Sequence, residues 1–311
     1  MRVAVVDIGT NSTRLLIADV TQDGRLTQLL KESIVTRLGE GVDATGRLAE
    51  EPMQRVFDTL SRYLEQLDEH GVTATTAVLT SAVRDAANGA EFAAEVRRRF
   101  GLDARTIDGD EEAALTFAGA TSERADDHRE IVVVDIGGGS TEFVTGRDGA
   151  VDFHVSTQAG VVRQSERHLH DDPPAPEALQ QLAAETQTIF TDAVPADLRD
   201  RVQAAIAVAG TATSCAAIEL ELDPYDSERV HGHVLELGTL EMLLARLAQM
   251  SNDERREVVG LHPDRAPVIV AGITMLIEVL RAFGLDEVEV SEHDILRGAA
   301  LHLASSAGRT T

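Results

Sequence analysis

Val3-Ala-Val-Val-Asp-Ile-Gly-Thr-Asn-Ser-Thr13 and Ile131-Val-Val-Val-Asp-Ile-Gly-Gly-Gly-Ser-Thr141 decide the fold. Set at a constant offset of 128, they agree at seven of eleven positions: Val5, Val6, Asp7, Ile8, Gly9, Ser12 and Thr13 of the first copy. Apolar strands share valines by chance, but a shared D-I-G-x-x-S-T turn marks one supersecondary unit used twice. In each copy an apolar run delivers an aspartate, a glycine-containing turn with hydroxyls follows, and a second β-rich run leads away. The pattern is strand-turn-strand. A dinucleotide fingerprint needs strand-turn-helix, and neither Arg14-Leu-Leu-Ile-Ala nor Glu142-Phe-Val-Thr begins a convincing helix.

Outward from the hairpins, strands and helices alternate. Residues 26–38 read as a third strand after the Asp23-Gly24 turn, 73–80 and 104–107 as further strands, and 48–70, 91–100 and 111–121 as helices. Gly71 and Gly101 stand where C-caps belong. The second series predicts strands at 131–135, 141–145, 151–156, 204–209 and 288–290, with helices at 211–219, 239–250, 265–283 and from Asp294 on. Residues 122–129 are polar and without period, so the expected domains are 1–124 and 125–311, with the last helix crossing back onto the first. A chain of 311 residues suits two cores of this α/β kind with mixed sheets.

Lysine plus arginine number 28 against 53 acids, a net charge of −25, and Lys31 is the sole lysine. Lys31 follows no glycine-rich loop, which excludes Walker-type nucleotide hydrolysis, and Schiff-base chemistry is excluded except at Lys31. The acidic balance argues against DNA, RNA or anionic membrane as partners, since those need a broad basic face. One cysteine, Cys215, makes no internal disulfide and reads as a core residue. Met1-Arg2-Val3-Ala4 runs directly into a strand without a signal-peptide layout, and the longest uncharged stretches fall short of a membrane span. A cytoplasmic protein is expected.

In such hairpins the backbone N–H groups of Gly9–Asn11 and Gly137–Gly139, with the hydroxyls of Ser12, Ser140 and Thr141, suit an anion-binding nest. Two of them facing each other would grip a phosphate chain from both sides. The alternative is a pair of ordinary turns, which the duplication disfavours.

Asp7-Ile-Gly-Thr-Asn-Ser12 and Asp135-Ile-Gly-Gly-Gly-Ser-Thr-Glu142 resemble the two phosphate loops of the exopolyphosphatase and guanosine pentaphosphate phosphatase (Ppx/GppA) family, within the actin, sugar kinase and Hsp70 superfamily. Further resemblances are Thr80-Ser-Ala-Val-Arg-Asp-Ala86, Gly109-Asp-Glu-Glu-Ala113, Ala209-Gly-Thr-Ala-Thr213, Arg229-Val-His-Gly232 and Leu296-Arg-Gly298, in the family's order along nearly the whole chain. The resemblance implies two actin-like, ribonuclease H-like domains with an interdomain cleft, in a short form lacking the HD-type domain of longer members. It implies metal-dependent release of orthophosphate from the end of inorganic polyphosphate, with Mg2+, or Mn2+ in its place, and a homodimer. Guanosine pentaphosphate is the alternative substrate, because both end in the same phosphoanhydride. A phosphotransferase would need an adenosine pocket, signalled only by 209–213; a non-enzymatic sensing module sits poorly with Glu112 and Glu142.

Splitting a phosphoanhydride asks for a base to orient water and for cations to offset charge on the oxygens. Glu112 matches the family glutamate that activates the water, although Asp110, Glu111 and Glu112 at a helix start also complement its dipole. Glu142 stands where the first copy has Arg14, and is the second candidate base and a metal ligand beside Asp7 and Asp135. Phosphate contacts are expected from Gly9, Thr10, Asn11, Ser12, Arg14, Arg84, Gly137, Gly138, Gly139, Ser140, Thr141, Gly210 and Thr211. Arg163 and Arg297 either bind substrate or pair with surplus acids. The histidines, His231 and His233 included, show no metal-ligand spacing, and surface or hydrogen-bonding roles are expected of them.

Overall fold

The apolar run of residues 2–8 becomes a central strand because it is buried on both faces, which a continuous Val/Ile run favours over an alternating one. A computed structural model describes residues 1–21, 23–124 and 128–307. β1 (Arg2–Ile8) runs antiparallel to β2 (Ser12–Val20), which pairs with β3 (Leu26–Val35); on its other edge lie, in parallel, β4 (Ala74–Leu79) and then β5 (Ala104–Thr106). The second sheet comprises β6 (Ile131–Ile136), β7 (Thr141–Arg147), β8 (Ala150–Thr157), β9 (Ala204–Val208), β10 (Val234–Glu236) and β11 (Glu287–Val290), in the order β10-β11-β9-β6-β7-β8. Its β8-β7-β6-β9-β11 portion repeats β3-β2-β1-β4-β5 in order and sense, so the duplication seen in eleven residues covers five strands. The protein is thus α/β with two mixed, actin-like sheets.

Two expectations need correction. The third strand stops at Val35, because the Thr36 and Arg37 amides turn to the Asn11 carbonyl and Arg37 takes φ 50°. β10 was not anticipated: three residues are too few to show a period. Of the expected boundary at 122–129, residues 125–127 lie outside the described residues. The chain divides into one compact unit formed by residues up to Ser122 together with those from Asp294, and a second from Glu123 to His293.

In the first unit the sheet is covered on both faces. Ala4, Val6 and Ile8 pack with Val56, Leu60, Tyr63 and Leu67 of the amphipathic helix Glu50–Glu69, where Phe57 stacks on Phe92 at 5.4 Å. Val3, Val5 and Leu16 face Leu115 of the helix Gly109–Thr121 and Ile295, Leu296, Ala299 and Ala300 of the helix Ile295–Ala307. The second unit has one core, crossed by the helix Ile269–Phe283, which is buried almost all round and apolar to match. No helix among the described residues is long and apolar enough to cross a membrane.

Candidate active site

Both hairpins close with the same bond: Gly9 N–H donates to Ser12 O and Gly137 N–H to Ser140 O, each at 3.0 Å. Around the second turn the carbonyls of Gly137 and Gly138 accept from the amides of Val161 and Val162, at 2.9 and 2.8 Å, at the start of the helix Val161–His168. The Gly139 carbonyl accepts from Arg163 Nε at 2.9 Å. In a planar trans peptide the N–H points opposite to the C=O. The amides of Gly138, Gly139 and Ser140 are therefore turned away from that helix, three in succession, which is the geometry of an anion nest. The first loop is backed by residues 36–39: Asn11 O accepts from Thr36 and Arg37, and Thr10 O from Gly39, which turns the Asn11 and Ser12 amides the other way. Thr10 Oγ1 shares a 2.7 Å bond with Ser81 Oγ, joining this loop to the Thr80–Arg84 motif.

The copies differ one pair beyond the turn. Asp7 stands opposite Arg14 in the β1–β2 ladder, and Arg14 Nε and Nη2 hold Asp7 Oδ2 at 2.7 and 2.6 Å. Arg14 Nη1 pairs with Asp294, whose Oδ1 accepts from the Leu296 amide at 3.0 Å. Arg14 thus joins two buried carboxylates. Burial pushes the Asp7 carboxyl above its ordinary range despite Arg14. Asp294 is buried too, which raises it, but Arg14, Lys31 and the Leu296 amide outweigh that and hold it below. The difference has a visible cause: Asp7 Oδ1 is buried without a hydrogen-bond partner. Asn11 Nδ2, on the same loop, is also buried and unpartnered.

In the second unit Asp135 stands opposite Glu142 in the β6–β7 ladder, both buried, at 6% and 1% exposure. Ser156 Oγ donates to Glu142 Oε1 at 2.7 Å. Two buried carboxylates side by side are the kind of oxygen donors a hard divalent ion takes; in the first unit Asp7 Oδ1 is an oxygen donor of the same kind.

Glu112 is buried in the first turn of Gly109–Thr121, and Arg84 Nη1 lies 2.9 Å from its Oε2, bringing together the expected base and the expected phosphate-binding arginine. Arg84 also donates to Ile107 O at 3.2 Å. Glu111 faces Arg105 instead, at 2.8 Å, and its amide caps onto Asp108. Arg297 Nε donates to Ser122 Oγ.

The Ala209–Thr213 motif follows β9, whose Val208 pairs beside Asp135. Ala209 takes φ 64°, a left-handed conformation costly for a residue with a Cβ. Gly210 lies directly under the Arg265 guanidinium: a Cβ there would come within 1.7 Å of Nη1. Thr211 packs on Gly272. Sequence reasoning passed over Arg265, Gly160 and Asp294. Asp294 meets Arg14 across 280 positions, without any local signal. Gly160 leaves room for the second loop, since its Cβ would lie 2.4 Å from Gly138 O; a lone glycine between a strand and a helix was the only hint.

Duplicated anion-nest hairpins on paired mixed sheets, with buried carboxylates at the strand ends, define a phosphate-handling protein of actin-like topology. The model of the Ppx/GppA phosphatase family matches residues 16–305, so the chain belongs to that family of enzymes. It is 38% identical to Exopolyphosphatase 2 of Mycobacterium tuberculosis H37Rv, covering 97% of this chain and 98% of that one. Among solved structures it resembles an exopolyphosphatase-like protein (35% identity, TM-score 0.91, 97% of each chain). It also resembles an exopolyphosphatase from Cytophaga hutchinsonii (28% identity, TM-score 0.88, 98% of each chain).

Proposed function

We propose that the protein is an exopolyphosphatase, hydrolysing the terminal phosphoanhydride of inorganic polyphosphate with Mg2+ and releasing orthophosphate. The observation that carries this reading is the pair of unsatisfied buried atoms at the first loop. Asp7 Oδ1 calls for a cation and Asn11 Nδ2 for an anionic acceptor, the two halves of a cation-bound phosphate. Asp7, Asp135 and Glu142 are the residues to hold the ion, which would offset charge on phosphate oxygens; Mn2+ would substitute.

The amides of Asn11, Gly138, Gly139 and Ser140 and the Thr10, Ser12 and Ser140 hydroxyls bind phosphate groups. Arg84 is shared between Glu112 and a terminal phosphate oxygen, and Arg265 supplies a second guanidinium beside Gly210 and Thr211. Glu112 orients a water and takes its proton as the water oxygen bonds to phosphorus. The anhydride P–O bond breaks, and the shortened chain leaves as the anion. Arg14 orients Asp7 by holding its second oxygen.

The test is phosphate release by the purified chain with Mg2+ on long polyphosphate, tripolyphosphate, guanosine pentaphosphate and ATP. The highest kcat/KM is expected on polyphosphate. Preference for guanosine pentaphosphate would transfer the reading to that substrate, and release from none of the four would refute it.

A further inference from the structure

In the second unit Glu123, His231 and His293 converge: one carboxylate oxygen and one nitrogen of each imidazole lie within 4.8 Å of one another. None of the three belongs to the loops or strand ends described above. We propose that they form a separate site for a divalent transition-metal ion of the Zn2+ class, with water completing the shell.

The backbone under both imidazoles is fixed. Gly232 N–H donates to Val290 O at 2.8 Å and Val290 N–H to His233 O at 2.7 Å, extending the β10–β11 pairing to Gly232, and the His231 amide donates to Ser227 O at 2.9 Å. Ser291 is buried; its Oγ accepts from the His293 amide at 3.0 Å and donates to the His293 carbonyl at 3.1 Å, while its own amide donates to Ala207 O on β9. The two rings stand 4.2 Å apart, centroid to centroid, and His293 Nδ1 is 3.9 Å from Glu123 Oε2. Around a tetrahedral ion bound at about 2.0–2.2 Å the donors stand ~3.4 Å apart, so closing this triangle moves each side chain by about 1 Å or less. The Glu292 amide meets His231 Nδ1 at 3.3 Å, a long contact for a cation to displace.

The donor set selects the ion. Two imidazoles and one carboxylate suit Zn2+, Co2+ or Ni2+, whereas Mg2+ prefers an oxygen shell, so this site and the proposed catalytic one would take different metals. Glu123 is exposed and both histidines are partly so, which gives an ion access from solvent. Glu123 and His293 are also the first and last residues of the second unit, so an ion bound to both ties its two ends together. The ligands come from three distant points in sequence, which is why no histidine spacing announces them.

The experiment is metal titration of the intact, chelator-stripped chain and of its Glu123→Gln, His231→Ala and His293→Ala variants, with Co2+ as spectroscopic probe and Zn2+ in competition with a chromophoric chelator. One Zn2+ per chain, a tetrahedral Co2+ absorption that millimolar Mg2+ does not abolish, and a Zn2+-dependent rise in Tm are expected. Each variant should bind on the order of 10²-fold more weakly and lose the Tm response. Unchanged affinity and stoichiometry in the variants, or absence of the Co2+ band from the wild type, would overturn the proposal. Glu123 is exposed, so Glu123→Gln retains the fold and decides the matter if a histidine variant does not.

Discussion

Asp7, Arg14 and Asp294 show how one guanidinium serves two carboxylates unequally. Arg14 and a backbone amide satisfy Asp294, whereas Asp7 keeps one oxygen bare, so ionising Asp7 is unfavourable in the folded state. A carboxyl raised above its unfolded value binds its proton more tightly in the fold, so its effect is to lower stability as pH rises from its ordinary 3.8 through the raised value. Asp294 acts oppositely: its contribution is present above 3.8 and is lost as pH falls through its lowered value. Asp7→Asn should therefore raise Tm at neutral pH without divalent ion and abolish the rise in Tm that Mg2+ gives the wild type; melting curves against pH and Mg2+ check this. A variant with wild-type pH and Mg2+ profiles would show that Asp7 carries no such burden. At Glu112, replacement by Gln should lower turnover by roughly 10²- to 10⁴-fold, the span of a general base, with Tm changed little. Near-normal phosphate release would move the base to Glu142. The repeat made Asp7 and Asp135 legible as equivalent positions, and Glu142 stood out as the place where the first copy has Arg14. The partner of Arg14 was not legible, because a contact across 280 residues leaves no local pattern.

Between elements, three glycines look alike in sequence and differ in the fold. A Cβ on Gly298 would lie 1.9 Å from Leu115 O and one on Gly119 2.0 Å from Asp294 O, so the helices Gly109–Thr121 and Ile295–Ala307 meet backbone to backbone. Neither partner can yield without separating the helices. Gly298→Ala should cost about 1–3 kcal/mol, the usual penalty of overpacking, and lower Tm by several degrees in calorimetry. At Gly210 the nearest atoms the added Cβ meets are those of the Arg265 guanidinium, the far end of a flexible side chain that can swing aside. Gly210→Ala should accordingly leave Tm within about 1 °C and raise KM for polyphosphate, because the displaced Arg265 no longer reaches its phosphate. A shift in Tm with KM unchanged would assign Arg265 a packing role. The two hairpins and the mixed α/β class were readable from the repeat, because the apolar runs of β1 and β6 are buried on both faces and their turns are the same; the strand order was not read from it. β10 and the end of β3 were not readable either: one is three residues long, and the other is set by amides that turn to Asn11.

Across the whole molecule the surplus of acid decides how a polyanion can be met. With a net charge of −25, arginines are widely engaged by carboxylates: Arg2 with Asp19, Arg55 with Glu40 and Glu51, Arg98 and Arg99 with Glu95, Arg201 with Glu130, Arg281 with Glu241 and Glu278. Exposed pairs of this kind add little stability, but they remove the positive charge that would draw phosphate to the surface at large. Polyphosphate should then be held by backbone amides, a divalent ion and two or three guanidiniums, and each guanidinium contact releases about one counterion. At ~0.7 decade per contact, the slope of log kcat/KM against log KCl, at fixed Mg2+, should lie between about −1 and −2. A slope approaching −10, as for proteins that track a nucleic-acid backbone, would mean a long basic path. Steady-state rates on long polyphosphate at several KCl concentrations measure it, and Arg84→Ala should flatten the slope by about 0.7.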